Sequence, residues 1–211
     1  MTPDLIYDQL IGAGCARRLT FSWGGNPGVG SLHRLRDAVE QGWPRALEID
    51  EQTHAGMAAA YRAGAARLPF GMLRGYIGTD LVQHNPRIRK VTCPYTGEDI
   101  ATVPAINPDV TILHAQRADR AGNVAIDGII GAAREAALAA RKLLVTVEQV
   151  VDALPPAMRP ADPSQLSLVL NDIQNVMAGN VPLGAGLSSS AAVEMAAAMS
   201  GSDSWPSLQL E

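Results

Sequence analysis

Short apolar segments alternate with helix-like segments over residues 18–67, and this alternation is the feature that most restricts the fold. Residues 18–23 and 46–49 are short apolar runs that favour strands. Residues 31–41 carry apolar side chains at helical spacing, and a long Ala-rich segment that ends at Arg67 follows the second run. Strands that alternate with helices predict an α/β fold with a parallel sheet.

The helix starts in this region have recognisable candidate caps. Ser31 is a candidate N-cap of the first helix, and Asp50 and Thr53 are both candidates for the second. The first helix is expected to end near Gln41 because Gly42 follows it.

The alternation is interrupted over residues 69–99 and then resumes. The interrupted part is rich in Gly and Pro, and we expect mostly loop with one short strand at residues 89–92. A long loop inside an α/β domain is often functional. Beyond it the pattern predicts further regular elements: strands over 100–103, 110–114 and 143–147, and an Ala-rich helix over 131–141.

Composition excludes several classes of function. The chain has 211 residues, of which 47% are hydrophobic, and a formal net charge of −4, which suits one folded domain and argues against a nucleic-acid partner. Cys15 and Cys93 lie far apart and outside ligand spacing, and no His pair has such spacing, so no metal is predicted. The sequence shows neither a signal-like leader nor an apolar run of about 18 residues, which predicts a cytoplasmic protein without a membrane partner.

A glycine-rich turn joins the first strand to the first helix. It contains Gly24, Gly25 and Asn26 and leads into Ser31. Backbone N–H groups in such a turn can approach an anion or a developing oxyanion, with the positive end of a helix dipole behind them. Spacing alone favours an ordinary tight turn as the explanation of the glycines.

Several stretches together carry a family likeness. They occur in a consistent order within about residues 1–160 and include GNPGVGSLHRLRDAVE, YIGTDL, CPYTGE, HAQRADRAGNV and VTVE. This set resembles the alpha subunits of family I CoA-transferases, the glutaconate and 3-oxoacid type. The resemblance implies an α/β parallel-sheet CoA-transferase (NagB/RpiA-like) fold that is truncated at both ends and followed by a short helical tail.

The resemblance also implies a reaction and a partner. A Glu carboxylate attacks an acyl-CoA thioester and passes CoA to another small carboxylic acid through a glutamyl-CoA thioester. In the two-subunit enzymes that Glu lies on the beta subunit, so a beta-type partner is expected and the chain is one component of a hetero-oligomer. Coenzyme A thioester is a substrate, and no bound cofactor is expected.

Specific residues follow from the resemblance. Gly24, Gly25, Asn26 and Ser31 are expected to contact the oxyanion or the pantetheine arm. Glu98, within the irregular segment 93–99, is the candidate catalytic carboxylate, because some relatives use an alpha-subunit Glu to hydrolyse CoA thioesters. An ordinary solvated carboxylate is the alternative for Glu98.

Two further groups of residues each allow a functional and a structural interpretation. Arg117, Asp119 and Asn123 follow a strand, where they either contact a ligand or form a turn network. The basic run 87–90 either meets CoA phosphates or is a solvated cluster.

The C-terminal part has a different character. We predict a CoA-transferase domain over 1–154, a Pro-rich linker over 155–164 and an unrelated tail over 165–211. The stretch 179–192 resembles the phosphate-binding loop of galactokinases in the GHMP kinase superfamily. That resemblance implies a phosphate loop made by Gly184, Gly186, Ser188, Ser189 and Ser190.

The sequence leaves three alternatives to a component of a CoA-transferase. They are an inactive chimeric fragment, a CoA-thioester hydrolase that uses Glu98 and a GHMP-type sugar kinase fragment. The kinase is disfavoured because the expected upstream sugar-binding signature and a downstream catalytic Asp are missing from the sequence. Which acid is the substrate does not follow from these residues.

Overall fold

The computed structural model describes residues 5–25, 30–154, 167–170 and 176–180. The helices are α1 (Leu5–Gly12), α2 (His33–Glu40), α3 (His54–Ala65), α4 (Leu81–His84) and α5 (Ala133–Ala139). The strands are β1 (Arg18–Phe21), β2 (Glu48–Glu51), β3 (Phe70–Leu73), β4 (Arg89–Thr92), β5 (Asp99–Pro104), β6 (Val110–Asp119), β7 (Val124–Asp127), β8 (Lys142–Val151), β9 (Ser167–Leu170) and β10 (Val176–Asn180).

The strands form three sheets: one is parallel, the largest is mixed, with two parallel and two antiparallel strand pairs, and one is antiparallel. β1 and β2 are parallel, and the largest sheet has the order β10-β8-β6-β7-β9 with β6 parallel to β8. The third sheet, β3-β5-β4, is antiparallel. The predicted α/β class is confirmed.

In the largest sheet, β8 is buried on both faces over residues 143–147, whereas β6 is buried at residues 111, 113 and 115 and exposed on its other face at residues 110, 112 and 114. In β8 Val145 and Val147 are fully buried, and Ala115 of β6 and Val124 of β7 are fully buried beside them. Near-continuous burial is expected for parallel strands whose two faces are covered.

The start of α3 follows from its sequence. Thr53 is the N-cap, and its hydroxyl accepts a 3.0 Å hydrogen bond from the Gly56 N–H, as predicted. The helix ends where Arg67 adopts a left-handed φ of 56° and the Leu68 N–H donates to the Ala63 carbonyl. Asp50, the other candidate cap, lies within β2 and has a different role.

Several local predictions were wrong. Ser31 is not the N-cap of α2, because the helix begins after Leu32, without a side-chain cap. β3 lies in a segment predicted to be loop, β7 lies in a segment for which no element was predicted, and β6 and β8 extend to 10 residues each. The extra residues of β6 and β8 pair with each other beyond residue 114, so sheet pairing rather than local hydrophobicity lengthens them.

The strands assigned beyond residue 154 belong to the largest sheet. β9 pairs with β7 and β10 pairs with β8. The predicted linker, the rest of the predicted helical tail and the candidate phosphate-loop residues Gly184, Gly186, Ser188, Ser189 and Ser190 lie outside the described residues. The division into domains stays a prediction. Among the described helices, none has both the length and the apolarity needed to cross a bilayer.

Candidate active site

A cleft of about 510 Å³ lies beside the glycine-rich turn after β1. Gly24, Gly25 and Ser31, for which the resemblance implies ligand contacts, are among the residues that line it, whereas Asn26 lies outside the described residues. The apolar part of the wall is formed by Trp23, Leu32, Leu35 and Val39.

The described part of this turn offers two backbone N–H groups, those of Gly24 and Gly25. Within the described part of the chain, no acceptor engages the N–H groups of Gly24 or Gly25. A methyl group on Gly24 would lie 3.2 Å from Leu35 Cδ2, so the turn packs closely on α2. Free amides beside an apolar wall can stabilise an oxyanion and hold a flexible chain such as pantetheine.

The first turn of α2 is less available than the sequence implied. The Leu35 N–H donates a 2.9 Å hydrogen bond to Oδ1 of Asp8, which reaches over from α1. The dipole at this helix start is therefore partly compensated by a carboxylate of the protein itself. At the rim, Arg36 pairs with Glu40 with Nε and Oε1 3.1 Å apart, so the two charges offset each other beside the cleft.

Glu98 lies elsewhere, at the end of the β4–β5 turn, and is not among the residues that line this cleft. Arg74 holds it with two bonds, Nε to Oε1 at 2.6 Å and Nη2 to Oε2 at 2.9 Å. The hydrogen bond from Arg74 lowers the pKa of Glu98. A general base works best with a pKa near the working pH, so this pairing favours a permanently ionised carboxylate over a base.

The same turn contains Cys93. Hydrogen bonds from the Thr96 hydroxyl and from the backbone N–H groups of Tyr95 and Thr96 lower the pKa of its thiol. The turn closes with the Cys93 N–H on the Glu98 carbonyl at 2.8 Å, and Gly97 supplies a positive φ of 72°. Cys15 and Cys93 are both free thiols, as expected from their separation.

A buried polar network that sequence reasoning missed joins β2 to the segment before β4. Its centre is the Asp50 carboxylate, which is only 4% exposed. Its donors are Thr20 Oγ1 at 3.3 Å, Gln52 Nε2 at 2.8 Å, Asn85 Nδ2 at 2.9 Å and Arg87 Nε at 2.9 Å.

The fully buried Tyr76 extends this network. Its hydroxyl donates to the Gln52 side chain at 2.9 Å and accepts from the Thr53 N–H at 2.8 Å. The network therefore ties the carboxyl end of β2 to the start of α3.

The basic run 87–90 is divided by this arrangement. Arg87 is bound to Asp50, and Lys90 is bound to Asp99 with Nζ and Oδ2 2.7 Å apart. Arg89 is left as the cation of the run with no ion pair among the described residues.

Asp119 forms a turn network rather than an open ligand site. Its carboxylate accepts from the N–H groups of Ala121, Asn123 and Leu154 and from Asn123 Nδ2. The Asn123 side chain is the largest cause of the lowered pKa of Asp119. Arg117 pairs with Asp127 across the strands. Of the two interpretations that the sequence left open, the turn network is the one found.

Asp119 is expected to make stability depend on pH. Because its folded-state pKa is lowered, its stabilising effect is present above the pKa of the unfolded chain and is lost as pH falls below about 4. Asp119→Asn is expected to lower the free energy of unfolding at pH 7. The difference in unfolding free energy between the variant and the wild type, here called the gap, is expected to narrow as the pH falls from about 5 to about 3. Urea titrations across that range measure the gap. Asp152→Asn, at an exposed site, is the control, and a gap that stays constant with pH contradicts the prediction.

A second cleft, of about 360 Å³, lies between α3 and α5 and is lined by His54, Met57, Tyr61, Arg62 and Glu135 together with neighbouring small residues. No group of three or more potential metal ligands occurs in the described part of the chain.

A family model for coenzyme A transferases matches residues 7–161. The chain belongs to the coenzyme A transferase family. Over 154 residues it is 66% identical to the A-type subunit of the 3-oxoadipate CoA-transferase of Pseudomonas knackmussii, a match that covers 73% of this chain and 55% of that subunit. The chain therefore spans about half the length of this curated relative. A second model, for the N-terminal domain of GHMP kinases, matches residues 146–211, which is less than half of the chain.

Solved structures agree with this family. A variant of the decarboxylase AibA/AibB is similar with a TM-score of 0.69 and 28% identity, over 95% of this chain and 76% of that one. Glutaconate coenzyme A-transferase from Acidaminococcus fermentans is similar with a TM-score of 0.63 and 26% identity, over 69% of this chain and 50% of that one. The predicted family and fold class are confirmed.

Proposed function

We propose that this chain is the alpha-type part of a CoA-transferase that moves CoA between small carboxylic acids, with 3-oxoadipate as one of the acids. The 66% identity to the A-type component of a 3-oxoadipate CoA-transferase carries the proposal. The chain works in a hetero-oligomer with a beta-type subunit, and CoA thioester is its substrate rather than a resident cofactor.

The reaction is a sequence of acyl exchanges at a carboxylate. A Glu oxygen attacks the thioester carbonyl, the C–S bond breaks, and CoA departs as a thiolate, so that an acyl–glutamyl anhydride is formed. The thiolate then attacks the glutamyl carbonyl and releases the first acid, which leaves a glutamyl-CoA thioester. A second acid reverses the steps and departs as its CoA thioester.

The turn after β1 supplies what this chemistry needs besides the nucleophile. Each attack places negative charge on a carbonyl oxygen, which N–H donors stabilise best in a site that excludes water. The N–H groups of Gly24 and Gly25, which no described acceptor engages, are our candidate donors, and Ser31 is the adjacent hydroxyl. The apolar wall that includes Trp23 and Leu35 suits the pantetheine arm.

The nucleophile itself is proposed to come from the beta-type subunit. Glu98 is the carboxylate of this chain that the resemblance singled out, and Arg74 occupies both of its oxygens. A carboxylate held in two charge-assisted bonds is a poor nucleophile until it is released. The ion pair with Arg74 therefore supports a role for Glu98 in anchoring the β4–β5 turn rather than in attacking a thioester.

The test is co-expression with the companion subunit of the Pseudomonas knackmussii enzyme, followed by a transfer assay with 3-oxoadipate across several acyl-CoA donors. We expect a complex, CoA transfer and a hydroxylamine-sensitive glutamyl thioester on the companion subunit. Glu98→Gln is expected to keep thioester formation within about tenfold of the wild type, because loss of the true nucleophile costs far more.

A thioester trapped on Glu98 contradicts the assignment of the nucleophile to the companion subunit. Release of free acid and CoA without transfer, abolished by Glu98→Gln, favours the hydrolase alternative. A chain that forms no complex and shows no turnover is the inactive fragment.

A further inference from the structure

The three-stranded sheet β3-β5-β4 has one covered face and one open face. On the covered face Gly71, Ala101 and Val103 are buried and pack on α3, in a cluster that includes Ala60. The register of β3 and β4 on β5 assigns the remaining side chains to the other face. We call this the open face; its residues are Phe70, Met72, Arg89, Val91, Ile100, Thr102 and Pro104.

The open face is apolar where a solvated sheet face is normally polar. Phe70 is 43% exposed, Met72 is 62% exposed and Val91 is 38% exposed. The Phe70–Pro104 pair and the Val91–Ile100 pair are apolar on both strands. Between these two pairs lies the Met72–Thr102–Arg89 row, in which Thr102 is buried. Exposed apolar side chains grouped on one sheet face mark a contact surface.

The residue types on this face indicate a protein partner. Phe, Met, Tyr and Arg are enriched in the cores of protein–protein interfaces, whereas Lys and Glu are depleted there. The cation on the open face is Arg89, and the two acidic residues at the adjacent turn, Glu98 and Asp99, are already paired with Arg74 and Lys90. Tyr95, in the same turn, is 94% exposed.

We propose that the open face is the docking surface for the beta-type companion subunit. This inference rests on the proposed function and names the surface through which that function is assembled. The relatives support this occupant, since one is named as a single subunit of its enzyme and the name of another joins two components, AibA and AibB. Packing of an apolar face of the companion removes Phe70 and Met72 from water and gives Arg89 an acidic counterpart.

Docking there places the Cys93–Glu98 turn at the edge of the interface. Glu98 directly precedes β5, and Arg74 directly follows β3, so both ends of the ion pair flank the docking surface. The ion pair is exposed in the isolated chain and becomes partly desolvated in the complex. Charge-assisted bonds strengthen when water leaves, which locks the turn against the companion.

The experiment compares charge insertions at matched exposed positions. Met72→Asp places a carboxylate in the open face, and Leu138→Asp places one on α5, where the native side chain is 55% exposed. Affinity for the Pseudomonas knackmussii companion subunit is measured by analytical ultracentrifugation, with circular dichroism and melting curves to verify that each variant folds. We expect Met72→Asp to weaken binding by about 100-fold or more, the size of a hot-spot loss, and Leu138→Asp to leave it within about threefold.

A second measurement does not depend on a variant. Hydrogen exchange of the wild-type chain with and without companion is expected to show new protection in β3 and β4 but not in β7. Equal binding by wild type and Met72→Asp overturns the docking surface and leaves the proposed function intact. A wild-type chain that binds no companion overturns both the docking surface and the proposed function. If the wild type instead associates with itself, and Met72→Asp does not, the open face is assigned to a second copy of this chain.

Discussion

Gly71→Ala is expected to destabilise the chain strongly, by about 3 kcal/mol, the upper end of overpacking effects. A methyl group at residue 71 would clash with the carbonyl oxygen of Ala59 and would lie 2.6 Å from its carbonyl carbon. These atoms belong to the backbone of α3, so no rotamer change relieves the clash. The helix and β3 would have to move apart, which also opens the cluster around Val103.

Gly75→Ala provides the matched control. It lies shortly after β3, at an exposed position where a methyl group would meet nothing within 4 Å. Urea unfolding is expected to show a normal m-value and a change below about 0.5 kcal/mol for Gly75→Ala. Equal unfolding midpoints for the two variants would show that α3 and β3 do not approach as closely as described.

Asp50→Asn is expected to cost about 3 kcal/mol of unfolding free energy, in the lower part of the range for breaking a buried ion pair. The buried carboxylate accepts hydrogen bonds from Gln52 and Asn85 and faces the guanidinium of Arg87. An amide in its place presents N–H groups to donors and leaves Arg87 without a counter-charge. The exposure of Arg87, 40% for its side chain, softens the effect because water can reach the cation.

The network allows a sharper test than a single variant. Glu51→Gln changes the neighbouring exposed carboxylate and is expected to be nearly neutral. Asp50→Asn combined with Arg87→Met removes both charges, and the double variant is expected to recover part of the loss, since the unpaired cation is gone. Strict additivity of the two single changes would mean that Asp50 and Arg87 do not interact in solution.

The secondary-structure elements could be predicted from the sequence in some parts of the chain and not in others. β1, α2, β2 and α3 follow from hydrophobic spacing and from Thr53 as a cap, because these signals are local. β3 was not predictable, since Phe70-Gly71-Met72-Leu73 has no alternation and owes its strand conformation to pairing with β5, about 30 residues later.

The candidate site shows the same division. The glycine-rich turn was recognisable from its residues, and the cleft beside it lies where α/β folds place ligands, at the carboxyl end of a strand. The Arg74–Glu98 pair and the Asp50–Arg87 pair join residues far apart in the chain, which no local pattern records. From its neighbours in the sequence, Asp50 was predicted only as a candidate helix cap, whereas in the structure it is a buried carboxylate at the centre of a polar network. The roles of Gly24, Gly25 and Ser31 stay predictions, and the transfer assay with Glu98→Gln tests that of Glu98.

The parallel pairing of β6 with β8 has a consequence for how the chain reaches its native state. Val110 pairs with Lys142, and Arg18 of β1 pairs with Glu48 of β2, so each ladder closes a long loop of chain. Closing a loop of about 30 residues costs about 3 kcal/mol of chain entropy before the first ladder hydrogen bond forms. The hydrogen bonds within α2 and α5, which lie inside these loops, are local and form without that cost. We therefore expect the joining of the parallel strands, β1 to β2 and β6 to β8, to limit refolding, and helical signal to return before the amides of Val145 and Val147 become protected from exchange.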